Sequence, residues 1–213
     1  MAIFLQKKPA LFILITLSAT ILFALITPPE KVLGSNVRIV YLHGAWVWSA
    51  LLLFILAAGY GLIGLILHNN QFVIWSKAIG RTGLLYWITT LPISLWAMQT
   101  SWNGLFLAEP RFRFAIAFSI AGLMLQIGLS LMENLVWVGI GNCIFLIALG
   151  FNLFKIKNIM HPASPILMSN SISIQIYFGA ILFFIFLTAW QIAVWLKNYD
   201  QSISSHPFSN FRD

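Results

Sequence analysis

Long apolar runs separated by short polar breaks dominate this 213-residue sequence. A membrane-spanning α-helix needs about 20 mostly apolar residues, because each residue adds about 1.5 Å against a hydrocarbon core about 30 Å thick. Six windows meet this requirement: 10–27, 40–67, 79–98, 113–132, 134–154 and 173–196. The pattern predicts an all-α polytopic integral membrane protein with six transmembrane helices. They form a single membrane domain (1–213) that ends in a flexible polar tail (198–213).

The lengths of the polar breaks predict how the helices are arranged. Only Glu133-Asn134 separates the fourth window from the fifth, so these two helices are expected to be antiparallel neighbours. With six alternating helices, the three long connections lie together on one side, called here the loop side: 28–39, 99–113 and 155–172. Both termini and the short connections then lie on the opposite side, called here the terminal side.

Some residues inside the apolar windows have structural interpretations. Pro92 predicts a kink in the third helix unless neighbouring groups satisfy the carbonyl that it leaves without a donor. The small residues Ala57, Gly61 and Gly64 predict close helix packing. The single cysteine, Cys143, lies in an apolar run and is interpreted as a small buried residue, so neither a disulfide nor a zinc site is expected.

Composition supports a membrane environment. Hydrophobic residues make up 60% of the chain and charged residues only 8%, whereas soluble domains carry roughly a quarter charged residues. Lipid is therefore expected to cover the exterior. The first apolar run follows Lys7 and Lys8 and leads into Pro28-Pro29-Glu30 instead of a small-residue cleavage site, so we expect a retained helix and not a cleaved signal.

The positive charges are divided equally between the two sides, although a cytoplasmic face normally carries the excess. Two interpretations of the outer cations stay open: they bind an anionic partner, or they snorkel to lipid phosphates. The even split argues against nucleic-acid binding despite the net charge of +7. The terminal side carries Lys7, Lys8, Lys77, Arg81, Lys197 and Arg212, and the loop side carries Lys31, Arg38, Arg111, Arg113, Lys155 and Lys157.

Two histidines fall on the loop side, and they are candidate ligands. His43 lies near the start of the second window, and His161 lies in the connection before the sixth. Neutral imidazole is an axial ligand of heme iron, so two histidines at one membrane depth could bind a heme. The alternative is that each forms ordinary hydrogen bonds at a helix end. His68, on the terminal side, and His206, in the tail, are interpreted as structural or incidental.

An apolar, aromatic segment, 96–111, lies between these histidines in the sequence. Asn103-Gly104 and Glu109-Pro110 interrupt it, so it is expected to lie along the membrane interface as an apolar shelf. Guanidinium groups from Arg38 and Arg111 could bind the propionates of a heme. An ordinary aromatic belt is the alternative interpretation. The aromatic residues expected to face apolar material are Trp96, Trp102 and Phe106.

The segment 34–43, followed by Ala45-Trp46 and Trp48-Ser49, resembles the first histidine segment of the cytochrome c assembly proteins. Within that family of heme-handling membrane proteins, the resemblance is to the heme exporter protein C type. There, a tryptophan-rich loop ending in Trp-Asp-x-Arg follows the third helix, and a second histidine precedes the sixth. The segment 102–111 has the same spacing as that loop, and His161 stands where the second histidine should.

The resemblance implies a heme-binding and heme-delivery protein of cytochrome c biogenesis, with no covalent chemistry of its own. It implies heme b at the outer membrane face, with His43 and His161 as axial ligands, Arg38 and Arg111 at the propionates, and Trp102 in the shelf. The heme would pass to a periplasmic heme chaperone, assisted by an ATP-binding-cassette partner. The implied location is a bacterial plasma membrane, with both termini cytoplasmic.

The loop departs from the family pattern. Leu105, Phe106 and Ala108 stand where the family has further tryptophans, and Glu109-Pro110 replaces the aspartate and the residue after it. The family's proline after the first histidine is also missing. Fewer rings leave less stacking area, so weaker heme binding or a different ligand is expected.

Other functions were weighed against heme handling. A non-catalytic accessory subunit of a membrane complex would keep the scaffold without binding heme. A transporter would use intramembrane polar groups, here Gln126, Asn142 and Gln175, but no ionisable residue lies in the middle of a predicted span, apart from Arg81 near an end. Hydrolases and proteases are excluded by the absence of their motifs and by the presence of only five acidic residues.

Overall fold

The structure is a computed structural model that describes residues 9–31, 33–132, 134–157, 166 and 169–204. Helix accounts for 86% of these residues, and no β-strand is found among them, which confirms the all-α prediction. The helices are α1 (Pro9–Ile26), α2 (Val37–Ile66), α3 (Asn70–Trp102), α4 (Pro110–Met132), α5 (Leu135–Lys155) and α6 (Ile172–Ser204).

Five of these helices, α1, α2, α4, α5 and α6, are long and apolar enough to cross a membrane. They indicate an integral membrane protein. The remaining helix, α3, carries more polar residues, and it packs against α2, α4, α5 and α6. Ser76, Thr82 and Thr90 of α3 are all buried by these neighbours, so much of its polar surface faces protein instead of lipid.

Two helices are longer than the hydrophobic windows predicted. α3 begins at Asn70 instead of 79 and ends at Trp102 instead of 98, and α6 continues through Ser204 instead of ending at 196. The segment 198–204 is therefore helical, which corrects the prediction of a flexible tail there; 205–213 lie outside the described residues. Hydropathy misses these turns because they are polar: the Asn69 side chain, for example, caps α3 by accepting a hydrogen bond from the backbone N–H of Gln71 at 3.0 Å.

Helices α2 and α3 form the central antiparallel pair, which makes the most extensive helix contact in the described structure. Near the loop side, Asn36 Nδ2 donates to the carbonyl oxygen of Thr100 at 3.1 Å. Further along the pair, Trp46 Nε1 donates to Thr89 Oγ1 at 2.8 Å. These contacts fix the register of the pair. They also place the start of α2 and the end of α3 on the same side, as the connections predicted.

A polar network links four helices at a buried position. The Asn142 amide nitrogen, on α5, donates to the Ser76 carbonyl oxygen at 3.1 Å and to Ser76 Oγ at 2.9 Å. Ser76 Oγ donates to the Ala57 carbonyl oxygen of α2 at 2.7 Å, and Gln126 of α4 donates to Asn142 Oδ1 at 3.1 Å. Two of the polar residues considered for a transport pathway, Gln126 and Asn142, thus bond to each other and join helices together.

Glycines allow α2 to approach α5 and α3 closely, as the small-residue pattern predicted. A Cβ added at Gly61 would lie 2.9 Å from the Cα of Gly139, and one added at Gly64 would lie 2.6 Å from Val73 Cγ2. Neither distance is compatible with normal van der Waals packing. Ala57, one turn before Gly61, is 1% exposed.

Replacing Gly61 by alanine is expected to lower the free energy of unfolding by about 1–3 kcal/mol, because the new methyl group collides with backbone that cannot rotate away. Thermal unfolding in detergent micelles measures the change. Gly59→Ala is the matched control, since a Cβ at Gly59 meets nothing within 4 Å on the same helix. Equal stability of the two variants would contradict the close approach of α2 and α5.

Two further sequence predictions concern single residues. α3 continues through Pro92, so the proline does not end the helix, and the kink stays a prediction. Cys143 is half-buried, with its Sγ 3.4 Å from the carbonyl oxygen of Ala58. A thiol held against a neighbouring helix in this way agrees with the packing role predicted for it.

Candidate functional site

His43 lies at the contact between α2 and α3, below the loop-side end of both helices. It is half-buried, and its Nδ1 lies 3.3 Å from the Oγ of Ser94, a buried residue of α3. His43 is six residues into α2, and Ser94 is eight residues before the end of α3. At about 1.5 Å per residue, the imidazole lies roughly 9–12 Å inside the loop-side ends of the pair.

The hydrogen bonds of Ser94 bear on the tautomer of His43. Ser94 Oγ also donates to the Thr90 carbonyl oxygen at 2.8 Å, and a hydroxyl has only one proton to donate. Ser94 can therefore make both contacts as hydrogen bonds in the tautomer that has its hydrogen on Nδ1 of His43. In neutral His43 the lone pair is then on Nε2, the form in which a histidine ligates a metal.

The first turn of α2 brings Arg38 and Tyr41 to the same end of the molecule. The preceding loop is closed by two hydrogen bonds between Glu30 and Gly34, and Glu30 Oε2 also accepts from the Leu33 N–H at 3.0 Å. Arg38 Nε and Tyr41 OH are buried without a hydrogen-bond partner in the described part of the chain. Buried polar atoms normally form hydrogen bonds, so these two atoms are available to bond to a further polar group.

The aromatic shelf is shorter than the sequence predicted. Trp96 lies within α3, and only 103–109 form the connection to α4, which corrects the expectation that the shelf begins at Trp96. Asn103 ends the helix with a left-handed φ of 55°, as the Asn103-Gly104 pair predicted. Trp102 and Phe106 pack edge to face, with ring centroids 5.6 Å apart, and form the aromatic part of this loop.

Glu109 caps α4, a role that the sequence interpretation missed. Its Oε2 accepts from the Phe112 N–H at 2.7 Å, and Pro110 occupies the first helical position, where its missing N–H costs nothing. Glu109 is 4% exposed, and its Oε1 has no hydrogen-bond partner in the described structure. An acidic residue directly before proline at the start of an apolar run was the available signal.

Arg111 lies in the first turn of α4, half-buried, where the Glu109 carboxylate acts on it electrostatically. Arg38, His43, Trp102 and Arg111 thus all lie toward the loop-side end of the bundle. His161, the predicted second ligand, lies outside the described residues. Its convergence with His43 stays a prediction.

Of the histidines assigned no ligand role, His68 is exposed in the turn between α2 and α3, with a φ of 49°. The next N–H, of Asn69, donates to the Gly64 carbonyl oxygen at 3.0 Å, which completes a helix-ending turn. This position agrees with a structural role for His68. His206 lies outside the described residues.

No cluster of three or more His, Cys, Asp or Glu side chains that could hold a metal ion occurs within the described ranges. Axial ligation of heme iron is a different case, because it needs only one or two protein donors. The sequence matches no protein-family model, and no curated protein matches it. The functional hypothesis therefore depends on the residues of this site and on the sequence segments quoted above.

Proposed function

We propose that this chain is a six-span membrane protein that binds heme b at its loop-side face and delivers it to a partner, without covalent chemistry of its own. In this proposal α3 also crosses the membrane, shielded by the helices around it. The loop side faces the periplasm of a bacterial cell, and both termini are cytoplasmic. The receiving partner is a periplasmic heme chaperone, and an ATP-binding-cassette protein assists.

The observation that carries the proposal is the orientation of His43. His43 Nδ1 lies 3.3 Å from Ser94 Oγ, and in the tautomer with its hydrogen on Nδ1 this contact would orient the ring as second-shell bonds orient most metal-ligating histidines, with Nε2 as the proposed iron ligand. His161 would supply the second axial bond.

Buried hydrogen-bond donors without partners support an oxygen-rich ligand at the same end. The described residues contain six buried polar atoms without partners, and three of them are donors near the loop side: Arg38 Nε, Tyr41 OH and Ser101 Oγ. Glu109 Oε1, at the same end, is an acceptor and gives no such support. Arg38 can neutralise one propionate, and Arg111, in the first turn of α4, can neutralise the other.

Trp102 and Phe106, which pack edge to face, would offer aromatic surface to the macrocycle. Bound heme would supply the iron that the imidazoles ligate, and it would itself be the cargo. A loop with two packed rings offers less stacking area than a tryptophan-rich loop. We therefore expect this chain to retain heme more weakly than the family that it resembles. Weak retention is compatible with delivery.

Purified protein tests this function directly. The protein is expressed with heme available, isolated in detergent, and examined by visible absorption and by a pyridine-hemochrome assay. A Soret band and a hemochrome signal are expected. A colourless protein that copurifies with other membrane subunits would instead support the accessory-subunit function.

That alternative has one observation in its favour. The His43–Ser94 hydrogen bond joins α2 to α3, and a polar pair between packed helices stabilises a membrane bundle without any ligand. The two functions differ in what they predict for the His43 variant, because a purely structural histidine would change stability and leave no heme signal to lose.

Replacing Ser94 by alanine is expected to weaken heme binding about 10- to 100-fold, because Nδ1 loses the acceptor that orients the ring. Heme titration followed in the visible spectrum gives the affinity. Ser94→Thr keeps the hydroxyl and is the matched control. Wild-type affinity in the alanine variant would mean that Ser94 does not position the ligand.

A further inference from the structure

A second charged site lies on the terminal side, away from the proposed heme site. Arg81 of α3 donates from Nη1 to both carboxylate oxygens of Asp200 on α6, at 3.1 and 2.9 Å, and from Nη2 to Ser130 Oγ of α4 at 2.8 Å. Lys77 Nζ lies 3.4 Å from the same carboxylate. Two cations thus share one anion, which leaves a net positive charge among these three groups. Lys197, one turn before Asp200 on α6, lies with its Nζ 4.7 Å from the centroid of the Trp75 ring of α3.

This cluster lies at the depth of lipid headgroups. α4 has 23 residues, so it is about 35 Å long and just exceeds the hydrocarbon core of about 30 Å. Ser130 is two residues from its end, which places the bonded Arg81 guanidinium at the membrane interface. The Arg81 side chain is 25% exposed, so a molecule in the surrounding lipid can reach it.

A groove of about 450 Å³ between α3 and α4 begins at Arg81 and Ser130 and extends toward the membrane centre. Below the charged mouth most of the lining is aliphatic, chiefly Leu85 and Ile88 of α3 and Leu123 and Ile127 of α4. Gln126 also lines the groove, and its amide nitrogen is bonded to Asn142 Oδ1. On each helix these aliphatic residues lie one and two turns from the mouth, toward the membrane centre. The groove is therefore polar at the interface and apolar at depth, which is the polarity of a phospholipid.

We propose that this groove binds an anionic glycerophospholipid, with its phosphate at Arg81 and one acyl chain between α3 and α4. A guanidinium has five N–H donors, and the bonds to Asp200 and Ser130 use at most three, so donors are left for phosphate oxygens. The net positive charge at the mouth favours an anionic over a zwitterionic headgroup. A lipid bound in this way would join α4 to α3 and α6 at their terminal-side ends.

Native mass spectrometry of the detergent-purified full chain tests the proposal. Phosphatidylglycerol and phosphatidylcholine with identical acyl chains are titrated separately. Binding of phosphatidylglycerol is expected to be about fivefold tighter, the effect of about one interfacial cation. Arg81→Gln should remove the difference between the two lipids. Ile127→Trp, which fills the groove, should weaken the binding of both.

The matched control is Ile147→Trp, which places the same side chain at a 70% exposed position of α5, outside the groove. It should bind both lipids as the wild type does, and circular dichroism verifies that each variant is folded. Equal affinity for the two lipids would overturn the proposal, as would unchanged binding in Ile127→Trp. Effective competition by inorganic phosphate would show an anion site that does not use the acyl groove, and would also overturn it.

Discussion

Heme bound to the purified protein is expected to be lost when His43 is replaced by alanine. In the proposed function this side chain would provide the Nε2 ligand, so its removal should weaken heme binding by more than the 10- to 100-fold typical of an orienting partner. In the double variant His43→Ala/His161→Ala, the Soret band should be absent. Pyridine-hemochrome content per protein molecule is the measurement.

The control for this prediction is His68→Ala, which removes the same side chain from an exposed turn on the opposite side of the bundle. That variant should retain the wild-type heme content. If the double variant retains its heme, or if His68→Ala loses it equally, the proposed ligation is wrong. A wild-type protein without heme would leave the accessory-subunit function as the better explanation.

The second large effect is expected at Asn142. Replacing it by leucine removes two hydrogen bonds to Ser76 and one from Gln126, while keeping a similar volume. Interhelical hydrogen bonds in membranes contribute about 0.6–2 kcal/mol each, so the loss of three should lower stability by about 2–6 kcal/mol. Part of the loss arises because Gln126 is left without its acceptor. Unfolding in mixed micelles measures the difference.

Asn152→Leu is the control for the Asn142 variant. Asn152 lies on the same helix and is exposed, and its amide donates only within that helix, to the Ala148 carbonyl oxygen at 2.8 Å. The change should leave stability close to that of the wild type. Comparable losses in the two variants would show that the four-helix network contributes little.

The proposed lipid site and the proposed heme site lie at opposite ends of the bundle and involve different residues. Variants at Arg81 or Ile127 should therefore leave heme content unchanged, whereas variants at His43 should leave the lipid preference unchanged. The failure of one proposal would not decide the other.

The sequence determined the elements of this protein, because hydrophobicity and helix-ending signals are local. The apolar windows predicted all six helices, and Gly61 and Gly64 predicted close packing. Asn103-Gly104 was predicted to interrupt the segment after the third helix, and α3 in fact continues to that pair instead of ending at 98. Polar turns that extend a helix beyond the hydrocarbon carry no apolar signal. For that reason the start of α3 and the last turns of α6 were missed.

Only the tertiary structure decided which side chains meet. Arg81 pairs with Asp200 across 119 positions, and His43 meets Ser94 across 51. The rotation and register of each helix set these contacts, and no periodic pattern in the sequence encodes either. Glu109 illustrates this difference. The sequence showed only that the loop motif departs from the family pattern, whereas the structure shows that the Glu109 carboxylate caps α4. Hydrophobicity places helices in a membrane, and the packing between them determines the chemistry.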